Sequence, residues 1–366
     1  MKYILQVSSG SWHTPEAGAE EIISRIERIS SLIPVDRVIV GWHIDAPAYR
    51  KLGDFLHGAG IRMLLWLPVF SDTEEVTEPD VSLDLGGNPV PEPFGGSGGF
   101  VFGCPSSGRN IRTARDIYDQ YFSGCGFDGV FLDRIRGQSF LCGTAGVLSC
   151  GCAGCRKKYL EEGVDTEEVR KRYETEKDSF FDIASFPADG EFRTRDRLAQ
   201  RFLEAREKIV AGAAADLCRH FREKGLTVGL DLFAPAVSRF AGQNYPLIAK
   251  EADFIKPMLY RRTEGPAGIG YEYALFEKQV PEARGRGKLS LDRAFLDTQL
   301  EAVRRVFCEV CPGIEINYDP ELVRTDAEYI RESLTAVREH GFGTAALCWN
   351  IMKAPETYFR TISEIS

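Results

Sequence analysis

Eight short β-rich apolar runs recur along the chain: KYILQVS (2–8), RVIVGW (37–42), RMLLWLPVF (62–70), FDGVFLD (127–133), LTVGLDLF (226–233), DFIKPMLY (253–260), GIEINYD (313–319) and GTAALCWN (343–350). Each is of strand length. Between the first two, PEAGAEEIISRIERISSLI (15–33) places apolar residues at helical spacing, with acidic residues early, where a helix dipole favours them. The same spacing predicts helices within 48–60, 110–122, 194–225, 295–307, 327–341 and 355–365. Several of these stop at Gly, the usual C-terminal cap.

Eight strands alternating with helices predict an α/β fold of the (β/α)8 TIM-barrel type, one domain over residues 1–366. A doubly wound sheet is the competitor, but no G-x-G-x-x-G loop follows the first strand and no P-loop occurs. The Gly-rich EPFGGSGGF (92–100) sits in a long connection instead. Two insertions, about 71–109 and 137–190, follow the third and fourth strands, the second one Cys-rich and helical. Both are expected at the C-terminal rim, where barrel enzymes carry their chemistry.

Composition narrows the function classes. The 366 residues are 43% hydrophobic and 27% charged, with no apolar run long enough for a membrane span, which predicts a soluble globular protein. The first residues read as a strand and not as a secretory signal. A net charge of −9 without a basic block argues against nucleic acid as a partner. Ten cysteines and no signal segment predict a reducing, cytoplasmic setting in which thiols are free or metal-bound. Oligomeric state is not encoded in any pattern found.

In GFDGVFLDRIRGQSF (126–140) an apolar strand runs straight into Asp133, Arg134 and Arg136. At the C-terminal end of a barrel strand, an inward residue stops meeting packed side chains and begins to face a site. The other strand ends supply Trp42, His43 and Asp45; Trp66 and Asp72; Asp231; Lys256 and Tyr260; Glu315, Asn317, Tyr318 and Asp319; and Trp349 and Asn350. All four tryptophans, Trp12, Trp42, Trp66 and Trp349, fall at or just past strand ends. Indole faces cover the apolar faces of sugar rings and leave the hydroxyl edges to carboxylates, Asn and Arg. Carbohydrate is therefore the expected ligand class, with Trp66 and Trp349 the first candidates to face it.

The segments DGVFLDRIR, VGLDLFAPAVSRFAGQNY, ADFIKPMLY and GTAALCWN resemble a family of hypothetical glycoside-hydrolase-like (β/α)8 barrels. Its members carry D-G-[IV]-x-[FL]-D-x-x-R on strand four and D-x-[IV]-x-P-M-x-Y on strand six. Asp133 and Arg136 match the first motif, and Pro257, Met258 and Tyr260 the second. The resemblance implies a sugar-processing barrel without naming the sugar.

Glycosidic cleavage usually uses two carboxyl groups, one protonating the leaving oxygen and the other attacking the anomeric carbon or activating water. Asp133 is assigned as acid/base and Glu315, from the opposite side of the barrel, as nucleophile or water-activating base, with Asp231 the substitute. Alternation in GIEINYDP places Glu315, Asn317 and Asp319 on one face, so Asp319 competes for the position at the mouth. Arg134 and Arg136 either hold Asp133 ionised or bind an acidic sugar. Tyr260 and Asn350 suit substrate hydroxyls, and Lys256 a neighbouring carboxylate. Two rival readings remain: a non-catalytic carbohydrate-binding barrel, and a lyase or aldolase with Lys256 as Schiff-base amine.

The segment CGTAGVLSCGCAGC (142–155) holds Cys142, Cys150, Cys152 and Cys155. Its C-x-C-x-x-C core gathers three soft ligands, and Cys142 completes a tetrahedral thiolate set for a structural zinc ion that would clip the loop after strand four. Reduced, unliganded cysteines are the alternative. No organic cofactor is expected. Cys308 and Cys311 form a separate C-x-x-C on the opposite face of the barrel and read as structural. The five histidines make no metal set.

Overall fold

The computed structural model describes residues 1–90, 101–181, 183–185, 192–280 and 289–366. The predicted Gly-rich EPFGGSGGF connection lies outside them. All eight apolar runs enter one ring of parallel strands: β1 (Lys2–Ser8), β2 (Val35–Gly41), β3 (Arg62–Pro68), β4 (Gly129–Asp133), β5 (Thr227–Phe233), β6 (Phe254–Met258), β7 (Gly313–Glu315) and β8 (Thr344–Cys348). β8 pairs with β1 from Lys2↔Thr344 to Leu5↔Leu347, and β7 meets β6 at Gly313↔Met258, which closes the barrel. Strands buried on both faces need continuous apolar sequence, and Ile4, Leu5, Val38–Val40, Leu64 and Leu65 are fully buried.

Strand seven departs from its predicted span. The lower part of β6 pairs instead with Glu309–Val310, and β7 ends at Glu315. Pro312 stands between the two pieces and has no N–H for a ladder bond. Tyr318–Asp319 then turns away to pair antiparallel with Val323–Arg324.

The barrel interior is filled from the floor up. Arg37, ion-paired with Asp36 and Glu309, lies 4.7 Å from the ring centroid of Phe254, which stacks at 6.0 Å on Phe131. Gly229 makes room for this stack, since a Cβ there would stand 2.1 Å from the Phe254 ring. Lys256 lies above, 5.2 Å from the centroid of Phe131. The aromatic layer thus lies between a charged floor at Arg37 and a second charged layer at Lys256.

The outer helices start where the sequence provides caps. In α1 (Ala19–Ser30), Ile22, Ile26 and Ile29 share the buried face, each contributing roughly 1.5–3 kcal/mol by leaving water. Asp45 caps α2 (Ala46–Gly58) by accepting the Ala48 N–H at 3.0 Å, which removes it from the rim set. The connection after β3 leads to α3 (Gly108–Ile117). The one after β4 carries α4 (Ala153–Glu161) and α5 (Thr166–Thr175) before α6 (Arg197–Glu223). The ring is completed by α7 (Ile269–Gln279), α8 (Arg293–Val303), α9 (Ala327–Glu339) and α10 (Glu356–Ile365). Among the described residues no helix is long and apolar enough to cross a membrane.

Candidate active site

Asp133 is the last residue of β4 and lies opposite Pro68 in the β3–β4 pairing, which brings Trp66 of β3 beside it. Trp66 donates its Nε1–H to Asp133 Oδ2 at 2.9 Å, and the Arg134 backbone N–H reaches Oδ1 at 2.6 Å. Both carboxylate oxygens are therefore oriented, while the residue remains half-buried. Arg134 has φ 54° and directs its guanidinium to an ion pair with Asp72, itself at φ 57°. The same guanidinium lies 5.5 Å from the Trp42 ring centroid. Burial and the neighbouring Arg136 push Arg134 down to about 9, so it stays charged at neutral pH.

An aromatic file extends from this point. Trp66 meets Trp42 edge to face at 5.2 Å, and Trp42 meets Trp12 at 6.3 Å. Trp12 is buried and donates its indole N–H to the Asp72 carbonyl. Trp42, Trp66, His43, Arg134, Asp133 and Trp349 are all half-buried at the ends of β2, β3, β4 and β8. His43 is tied by Nδ1 to the Ser11 carbonyl at 3.2 Å.

Beneath this mouth lies an enclosed polar group. Asp231 and Lys256 face each other across β5 and β6, with Nζ 3.0 Å from Asp231 Oδ2. Lys256 also donates to Gln6 Oε1 at 2.9 Å and Tyr260 Oη at 3.0 Å, so its three protons have three acceptors. Burial opposes its charge most strongly, but Asp231, Cys348 and Asp133 together outweigh it and the lysine is held above its ordinary value. Burial pushes Asp231 up to about 7, against the pull of Lys256; the charge of Asp133 adds to the rise and Arg134 opposes it. Asp231 is thus the carboxyl group electrostatically coupled to Asp133.

Glu315 occupies different surroundings. It is wholly buried, its Oε1 accepts the Arg262 N–H at 2.6 Å, and burial pushes it up to about 7. Arg261 and Arg262 lie 4.8 and 5.2 Å from the ring of its neighbour Tyr329 on α9. Asp319 is exposed and accepts the N–H groups of Glu321 and Leu322, so it caps a turn outside the barrel. Its displacement follows from the early end of β7.

Other sequence expectations also shift. Arg136 is 4% exposed, its guanidinium 4.5 Å from the ring centroids of both Phe102 and Phe233, so it is enclosed below the rim. Lys256 and Tyr260 are likewise enclosed. Asn350 caps a turn by accepting the Met352 N–H at 3.1 Å. Asn317 Oδ1 accepts the N–H groups of Trp349 and Asn350 at 2.9 and 3.1 Å and so orients the strand-eight end. Gln6 carried no sequence signal as a partner of Lys256, because 250 residues separate them.

The cysteine set is corrected in one member. Cys104, Cys150, Cys152 and Cys155 bring their Sγ atoms within 4.8 Å of one another and could hold a metal ion. Cys142 is not among them; it is buried near Arg136 and Glu272, with burial raising its thiol to about 11. Cys104 comes from the connection after β3, 46 residues before Cys150, so no local spacing announces it. All ten cysteines are free thiols, including Cys308 and Cys311.

No protein-family model and no curated protein sequence matches the chain. Solved structures do. The glycoside hydrolase domain of PgaB (BpsB) from Bordetella bronchiseptica aligns over 99% of this chain and 98% of its own, at 16% identity and a TM-score of 0.62. A class V chitinase from Pseudomonas fluorescens Pf-5 aligns over 100% and 99%, at 10% identity and a TM-score of 0.51. At these identities the likeness is one of fold.

Proposed function

We propose that this protein is a glycoside hydrolase whose glycan lies across the C-terminal mouth of the barrel, against Trp42, Trp66 and Trp349. The observation that carries the reading is Asp133, half-exposed, fixed through both oxygens and flanked by indole, with the carboxyl of Asp231 coupled to it from below. Asp133 takes the acid/base role at the glycosidic oxygen. Asp231, pushed up to about 7 by burial, adds a carboxyl beneath Asp133, and Glu315 is kept as the second carboxyl for attack or water activation. The names of the two structural neighbours support a glycan substrate and make chitin oligosaccharides the first to test.

The complete burial of Glu315 favours a second reading, a carbohydrate-binding barrel without turnover. A Schiff-base lyase is disfavoured, because Lys256 is a charged, triply hydrogen-bonded ammonium with no free amine to attack a carbonyl. Zinc is the ion expected for the four cysteines, in a closed thiolate shell outside the chemistry, and that thiolate set goes with a cytoplasmic location.

The test is a panel of chitin oligosaccharides, other oligosaccharides and aryl glycosides, with Asp133→Asn, Asp231→Asn and Glu315→Gln beside the unaltered protein. Cleavage abolished by Asp133→Asn supports the hydrolase. Cleavage that survives this change removes Asp133 from the chemistry, and binding without cleavage that persists in it establishes the second reading.

A further inference from the structure

The four-cysteine group joins two rim connections that the barrel itself leaves separate. Cys104 belongs to the connection after β3; Cys150, Cys152 and Cys155 belong to the one after β4. The Sγ of Cys104 lies 3.5 Å from those of Cys152 and Cys155. A disulfide requires about 2.05 Å. A tetrahedron of sulfurs at the usual zinc–sulfur distance of about 2.3 Å has edges of about 3.8 Å, close to this spacing.

The surroundings suit thiolates. Cys152 caps α4, where the helix dipole favours negative charge, and its sulfur accepts the Cys155 N–H at 3.4 Å. Cys150 accepts the Leu83 N–H at 3.4 Å, and the Ser106 hydroxyl stands 2.9 Å from Cys155 and 3.3 Å from Cys104. Such donors to ligand sulfurs orient and stabilise a thiolate shell.

From Cys104 the chain leads directly to the mouth. Gly103 donates its N–H to the Phe70 carbonyl at 2.7 Å, two residues before Asp72, and Phe102 covers the guanidinium of Arg136. On the other connection, the Gly151 N–H meets the Leu83 carbonyl at 2.8 Å, and Arg156 donates to the carbonyls of Gly151 and Leu85. The Asp72–Arg134 ion pair beside Asp133 bridges the same two connections.

We propose that one zinc ion bound by Cys104, Cys150, Cys152 and Cys155 locks the two connections together and thereby holds the Asp72–Arg134 pair in place. The ion is a positioning element for the mouth and does not take part in bond cleavage. The proposal goes beyond the glycosidase reading and stands if that reading falls, because its readouts are metal content and local exchange.

Metal analysis and X-ray absorption on the purified protein are expected to give one zinc per chain with four sulfur neighbours. Cys104→Ser should lower zinc retention at least tenfold, and Cys142→Ser should leave it at one. Hydrogen exchange before and after zinc removal is expected to quicken in residues 70–84, 101–107 and 134–156 while β5 to β8 stay protected. If Cys104→Ser does not fold, displacement of zinc by cobalt in the unaltered protein reports the ligand set, with the charge-transfer absorption of four thiolates expected. A shell containing nitrogen or oxygen, zinc retention that depends on Cys142 and not on Cys104, unchanged exchange in the named segments, or loss of protection throughout the barrel would each overturn the proposal.

Discussion

Lys256 Nζ lies 3.0 Å from Asp231 Oδ2 inside the barrel, and neither side chain is more than 3% exposed. Removing one member of such a pair leaves an uncompensated buried charge, a loss of about 3–5 kcal/mol, whereas removing both is far milder. Lys256→Met is therefore expected to lower the urea unfolding midpoint strongly at pH 8, above the value of about 7 at which Asp231 gives up its proton. Lys256→Met combined with Asp231→Asn should recover much of that loss. A double variant as unstable as the sum of the two singles would refute the coupling.

Asp231 and Glu315 make stability depend on pH in one direction. The folded chain keeps the Asp231 proton up to about 7, while the unfolded chain releases it near 3.8; for Glu315 the two values are about 7 and 4.5. Between those values the folded state binds more protons, so stability falls as pH rises through the window. Urea midpoints at pH 5 and pH 8 should show the fall, and Asp231→Asn should reduce it. An equal fall in the variant would assign the effect elsewhere.

Trp66→Phe keeps most of the ring but deletes the N–H that reaches Asp133 Oδ2. A hydrogen bond to a charged group contributes roughly 1.5–3 kcal/mol, so kcat/KM on any glycan found to be cleaved should drop about tenfold or more. Thermal unfolding should move little. A rate equal to that of the unaltered protein would show that Trp66 does not orient Asp133 for reaction.

Gly151 sits between Cys150 and Cys152, and a Cβ on it would stand 2.1 Å from the Asp84 carbonyl oxygen. Gly151→Ala must push the two rim connections apart, with an expected loss of about 1–3 kcal/mol. Melting curves and zinc content measured together would show both falling. Unchanged values in both would mean that the connections part without consequence.

The apolar runs determined the barrel. Their lengths, their order and the helical spacing between them leave few ways to bury every run, and the closed ring of eight parallel strands is one that buries them all. The position of Asp133 at the end of β4, and of Trp42, Trp66 and Trp349 half-buried near strand ends, was legible for the same reason, since each closes an apolar run. What the sequence left open depended on contacts between residues far apart in the chain. Pro312 splits strand seven and carries Asp319 outside, Gln6 meets Lys256 across 250 positions, and Cys104 replaces Cys142 because two rim connections converge. Periodicity records which face of an element is apolar. Only the closed barrel decides which polar ends then share one enclosed space, and there burial and proximity set the charges of Asp231, Lys256 and Glu315.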